Sequence, residues 1–225
     1  MVFIGLAEIA RKVFKLSPEL SRKFVHVMVG ILVSLAPFFL HASTPVIVLG
    51  VIFTILNYTA LKQDSLKGMH TTERVSFGTV YFPIAFTLLV IMFWERNIVL
   101  FVVSMLILAF SDTAATVIGE RVNSKHKFIL WHDKKSWPGS IAFFVMTFIV
   151  VLFAFPVYSG LMNNHPLPFI HLVTMAIFTA FLATVGEAVS KRGSDNLTLT
   201  LTAALGMDLY LSSMQAETLA AMGGW

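Results

Sequence analysis

Seven apolar stretches, each near the length of a bilayer crossing, dominate this sequence at about 24–40, 44–61, 75–94, 97–119, 139–159, 169–188 and 197–214. About 20 apolar residues in a helix cross the roughly 30 Å hydrocarbon layer, where every backbone polar group must be satisfied within the helix. The expected fold is an all-α integral membrane protein of about seven transmembrane helices, organised as one domain over residues 1–225. Composition agrees. Of the 225 residues 57% are hydrophobic and the mean hydropathy is +0.82, more apolar surface than a soluble domain of this size can hide. The absence of cysteine excludes disulfides and thiolate metal sites.

Residues 1–20 are too charged to cross. Phe3, Leu6, Ala10 and Val13 share one side of a helix, with Glu8, Arg11, Lys12 and Lys15 largely opposite, so a short amphipathic helix in the membrane surface is expected. No apolar stretch followed by a small-residue cleavage site occurs there, and no removable signal peptide is expected. Fifteen of the sixteen lysines and arginines fall before the first stretch or in alternate connections, on the side that the N-terminus shares. Cytoplasmic loops carry the positive excess, which places the N-terminus inside and the C-terminus outside. The sequence pI of 9.4 is then a signature of topology and no argument for nucleic acid.

The polar clusters gather on that same inner side. In "SRKFVHVMVG", Arg22, His26 and Gly30 are spaced by four along one helix face, with Lys23 beside them where a cation would snorkel to the interface. "KQDSLKGMHTTERVSFGTVYFP" carries a mixed-charge loop, Lys67 to Arg74, ahead of Gly78 and Pro83. In "AFSDTAATVIGERV", Asp112 lies inside an apolar run, where a carboxylate costs roughly 2.5–3.5 kcal/mol unless a cation or a polar cavity offsets it. In "HDKKSWPGSIAFF", Lys134 and Lys135 precede a Pro-Gly turn that opens a helix, so free N–H groups and a positive helix end should face the cytoplasm as a phosphate site. "VGEAVSKRGSDNLTLT" places Glu187 at membrane depth, with Asp195 and Asn196 ahead of the last stretch. Asp112, Glu187 and Asp195 together are a candidate oxygen cage for magnesium.

The segments "SRKFVHVMVG", "FSDTAATVIGERV", "KKSWPGSIAFF" and "GEAVSKRGSDNLTLTL", in this order from about residue 21 to 205, resemble the polyprenol kinase family of dolichol kinases, phytol kinases and CTP-dependent diacylglycerol kinases. That resemblance implies a membrane-embedded kinase, a single catalytic domain, that moves the terminal phosphate of CTP or a related nucleotide to a lipid alcohol. The acceptor is expected to be an isoprenoid such as phytol, geranylgeraniol or dolichol, and no nucleic acid partner is implied. Nucleotide contacts would fall to Lys135, Ser136, Gly139 and Ser140 of the "KSxxGS" turn, to neighbouring Lys134, to Arg22 and Lys23, and to Asn196. Residues 120–138 would be the cytoplasmic nucleotide-binding loop. Magnesium would be held by Asp112, Glu187 and Asp195. Asp195 is the favoured catalytic base for the lipid hydroxyl, with Glu187 and His26 as rivals. Pro138 stands where the family pattern leads one to expect an acid.

Three other readings stay open. A phosphatidate cytidylyltransferase has similar "D-x-A-A" and "K-x-x-x-G" pieces, although "GSDNLTLTL" lacks its closing His-Gly-Gly…Asp-Arg signature. A transporter would set carboxylates near mid-bilayer and charges on both sides of the barrier, a pattern that only Asp208 approaches here. A structural scaffold leaves Asp112 and Glu187 without a role.

Overall fold

Over the described residues each apolar stretch is mainly helical. The computed structural model describes residues 18–62, 77–122, 127–130, 133–162, 166–191 and 193–222. In chain order these form α1 (Pro18–Leu35), a 3-10 turn (Ala36–Phe38), α2 (Ser43–Lys62), α3 (Gly78–Phe93), α4 (Ile98–Glu120), β1 (Lys127–Leu130), β2 (Asp133–Ser136), α5 (Trp137–Leu161), α6 (Phe169–Val189) and α7 (Asp195–Met222). The amphipathic helix expected near the N-terminus and the Lys67–Arg74 loop lie outside the described residues.

Length and composition mark four of these helices, α2, α4, α5 and α6, as able to cross a membrane. Elsewhere the apolar helical runs are shorter, at Lys23–Phe38 and Gly78–Phe93. α7 is long, but Thr198, Thr200, Thr202 and Asp208 dilute its apolar character. The all-α expectation holds, with one short hairpin added to the helices. β1 and β2 pair as an antiparallel hairpin, with Lys127 opposite Ser136 and Phe128 opposite Lys135. This connection is too polar to enter hydrocarbon, and a two-stranded ladder satisfies its backbone groups outside it.

α4 is the centre of the bundle. Every residue from Val99 to Ala109 is buried, as expected of a helix that is apolar on all faces and enclosed by neighbours. α1, α3, α5 and α7 pack around it, while α6 closes against α5 and α7. α2 is peripheral. It packs chiefly on α3, and only Val46 and Gly50 of its length are buried. Between helices in lipid, close approach and interhelical hydrogen bonds replace the hydrophobic drive of soluble cores. Ser111 of α4 and Thr147 of α5 share a buried hydrogen bond of 3.0 Å, and Tyr158 of α5 donates to Ser34 of α1 at 3.3 Å.

The α1–α4 contact carries a polar face of α1 onto the central helix. Lys23, His26 and Gly30 occupy that face at three- and four-residue spacing. At Gly30 the backbones come so close that an added Cβ would collide with the Cβ of Ala109. Alanine is about 1 kcal/mol better than glycine inside a helix, but overpacking a rigid contact costs about 1–3 kcal/mol. The clash should win. Gly30→Ala is therefore expected to lower the melting temperature in detergent, and Ala109→Gly in the same chain to restore it. A Gly30→Ala variant as stable as the parent would contradict this contact.

Candidate active site

Five elements deliver charged side chains to one end of the bundle: Lys23 from α1, Asp112 from α4, Lys135 from β2, Glu187 from α6 and Asp195 from the first residue of α7. The Lys23 ammonium donates to Asp112 Oδ2, and both side chains are 8% exposed. Lys135 donates to Glu187 Oε1, with side chains 15% and 9% exposed, and also to the Glu187 main-chain carbonyl at 3.0 Å. The two pairs are neighbours, because Asp112, Glu187 and Asp195 lie within electrostatic reach of one another and Asp195 also feels Lys23 and Lys135. His26 Nε2 stands 3.8 Å from Asp112 Oδ2, its ring edge-on to Phe82 at 5.3 Å.

Local structure explains how each group arrives. Lys135 precedes the cap of α5, where Ser136 Oγ accepts the Gly139 N–H at 3.1 Å. Gly139 is buried where α5 crosses α4; a Cβ there would sit 3.1 Å from the Ala115 carbonyl and 3.4 Å from Gly119 Cα. At the end of α6, Ser190 turns its hydroxyl back on the Glu187 carbonyl at 2.6 Å. Gly193, with φ 87°, then allows the reversal closed by Ser194 N–H on the Lys191 carbonyl at 2.9 Å. The chain returns as α7, bringing Asp195 back toward Glu187.

Several expectations change at this level. Lys23 does not snorkel; it is buried against Asp112. The start of α5 is a poorer phosphate cradle than its sequence implies, since Pro138 has no N–H and that of Gly139 is taken by Ser136. Ser136 and Gly139 shape the turn, and Ser140 comes next, half-buried. The Asn196 side-chain N–H donates to the Gly78 carbonyl at 2.8 Å and so joins the starts of α7 and α3. The side chains of Arg22 and Lys134 lie outside the described part of the structure. Ser190 escaped the sequence reading, and its signal was slight: a serine directly after an apolar helix.

The carboxylates do not form a ready metal cage. Among the described residues, no group of three or more histidines, aspartates or glutamates is arranged to hold a metal ion. Instead a lysine faces each of Asp112 and Glu187. Glu187 Oε2 is nevertheless buried and without a hydrogen-bond partner among the described residues. That atom, on a carboxyl that feels the charges of Asp112 and Asp195, fits a cation that reaches the site with other oxygen ligands of its own.

A family model described as "Cytidylyltransferase family" matches residues 1–191. The chain belongs to that family. Its curated relatives include a phytol kinase from Synechocystis sp., 28% identical over 198 residues, covering 84% of this chain and 79% of that protein. A probable chloroplastic phytol kinase 2 from Glycine max is 28% identical over 203 residues, covering 87% of this chain and 66% of its own length. Phytol kinase 1, chloroplastic, from Arabidopsis thaliana is 24% identical over 208 residues, covering 86% and 66%. Family and relatives together bear out the resemblance to the polyprenol kinases. No solved structure matches the chain.

Asp195 precedes the apolar stretch at 197–214, and its surroundings set its proton affinity. Burial and then the Asp112 charge raise its pKa above the usual aspartate range, against the lowering effects of Lys23, Lys135 and the Asn196 N–H. A carboxyl raised in the folded state binds more protons there than in the unfolded chain, so stability falls as pH rises past the unfolded value. Asp195→Asn should therefore melt at a higher temperature than the parent at neutral pH, with the gap closing in acid. A variant less stable at neutral pH would show that the charge is favoured where it stands.

Proposed function

We propose that the protein is a membrane-embedded kinase that transfers the terminal phosphate of CTP to the hydroxyl of a lipid alcohol, an isoprenoid such as phytol, geranylgeraniol or dolichol. The observation that carries this reading is the convergence of Lys23, Lys135, Asp112, Glu187 and Asp195 at one end of an apolar helical bundle. The phytol kinases among its relatives support it. In this reading all seven helices cross the bilayer, the N-terminus is cytoplasmic, and the site faces the cytoplasm within a single catalytic domain.

The chemistry comes from the two substrates. A triphosphate is confined to water and a prenyl alcohol to lipid, so they can meet only at the membrane surface. Phosphoryl transfer asks the protein for positioning and charge neutralisation more than for covalent chemistry. Lys23 and Lys135 supply positive charge to the phosphate oxygens. Magnesium fits the donor set, since it takes one or two carboxylates and keeps water and phosphate as its other ligands; Asp112 and Glu187 would hold it. Bound there, it would neutralise charge on the transferring group. Asp195 takes the proton of the lipid hydroxyl as that oxygen attacks the terminal phosphorus and CDP leaves. Its raised proton affinity suits this task. His26, beside Asp112, is the alternative acceptor.

The family description supports a second reading, a cytidylyltransferase that joins CTP to phosphatidate and releases pyrophosphate. Purified protein with magnesium, CTP labelled on its terminal phosphate, and a panel of phytol, geranylgeraniol, dolichol, diacylglycerol and phosphatidate separates the two. Label in a lipid monophosphate is the expected result, and label in pyrophosphate would replace the kinase by the transferase. Asp112→Asn should remain monodisperse in detergent and lose transfer by about 100-fold or more. An active Asp112→Asn enzyme would remove this residue from the reaction.

A further inference from the structure

The way the lysines and carboxylates are paired goes beyond what the proposed chemistry needs. A site for a metal–triphosphate should turn its carboxylates to the metal and its ammonium groups to the phosphates. Here Lys23 lies on Asp112 and Lys135 on Glu187, all four side chains largely buried. No cluster of three acids or histidines stands open to a cation among the described residues, yet Glu187 Oε2 is buried beside Lys135 without a hydrogen-bond partner among them.

We propose that Lys23 and Lys135 are exchangeable counter-ions: they shield Asp112 and Glu187 from a free divalent cation until a triphosphate draws the ammonium groups onto its own oxygens, so that cation and nucleotide bind only as one unit. This rests on the reading of the site as a nucleotide-dependent phosphotransferase. The physical reason is the cost of a buried charge without an opposite neighbour. A divalent cation arriving alone would displace two largely buried ammonium groups from the carboxylates that each now faces. A triphosphate arriving alone would draw off the same ammonium groups and leave two largely buried carboxylates without their lysines. Only the chelate replaces both partners together.

Lys135 is built for such an exchange. An ammonium group has three donors, and this one also holds the Glu187 main-chain carbonyl at 3.0 Å, in the last turn of α6. It can give up the carboxylate and keep the carbonyl, so its nitrogen moves little while its charge changes partner. The position is favourable in itself, because a cation at a helix C-terminus meets the negative end of the helix dipole.

Equilibrium dialysis of the purified protein in detergent, without lipid acceptor, tests this with Mn2+ alone, CTP alone in chelator, and the two together. The parent is expected to retain each ligand at least about tenfold more tightly when the other is present. Lys135→Met and Lys23→Met are expected to retain Mn2+ without nucleotide, about tenfold more tightly than the parent, whereas Lys135→Arg behaves as the parent. Variants are compared only where they elute as monodisperse protein; the coupling measured in the parent stands without them. Parent protein that binds Mn2+ alone as tightly as with CTP overturns the shielding and leaves the kinase reading intact. So do folded Met variants that gain no Mn2+ binding. Failure of the parent to retain Mn2+ and any nucleoside triphosphate in combination overturns the kinase reading, and unit binding falls with it.

Discussion

Two ammonium groups held against carboxylates inside an apolar bundle are the interaction on which the arrangement depends. Removing one partner of a buried pair costs about 3–5 kcal/mol, because the other is left uncompensated, whereas replacing both by apolar side chains is often neutral. Stability alone therefore gives no reason to keep Lys23 with Asp112 or Lys135 with Glu187. What the pairs provide is position. Each ties distant parts of the chain, α1 to α4 and β2 to α6, and together they draw these elements around Asp195. Backbone contacts then make the pairing reachable: Gly30 on Ala109 brings α1 close enough for Lys23, and Gly139 against Gly119 seats the start of α5 on α4, shortly after Lys135.

The helices were legible in the sequence because bilayer-length apolar runs admit little besides helix, but which of them is enclosed was not, since α5 is as apolar as α4 and far less buried. The hairpin was not legible either. Lys127 to Ser136 has a lysine-rich composition that suits a loop as well as a strand, and only the pairing partner decides between them. Site residues were legible where a charge stood in hydrocarbon. Asp112 and Glu187 require an explanation from their neighbours alone, and the structure brings each onto a lysine. The choice of partner was hidden, since it depends on which helix faces cross. Lys23 could be read as an interfacial cation because its own helix says nothing of α4. Asn196 is a similar case: beside Asp195 it looked like a ligand, but its amide reaches Gly78, more than a hundred residues away in the chain.

Charges at the opposite end of α4 obey a different rule. Arg96, ahead of that helix, donates to Asp208 of α7 at 2.9 Å, and His171 of α6 meets Tyr210 of α7 at 3.1 Å. Arg96 is 61% exposed, so its bond is that of a surface pair and adds little stability. Asp208, which on sequence alone left a transporter reading open, has its counter-ion here and sits far from Glu187 along the helices.

The bond from Asn196 to Gly78 has a mechanical consequence. α3 runs only from Gly78 to Phe93, 16 residues, about 24 Å long against a hydrocarbon layer of about 30 Å. A helix that short accommodates a thicker bilayer by pinching the lipid around it or by shifting along the membrane normal, and its first carbonyl is fastened to the residue after Asp195. In the proposed seven-span arrangement, sterol content or acyl-chain length, which set that thickness, would pull on the end of α7 that carries Asp195, so the lipids surrounding this protein would form part of its working environment as well as its solvent.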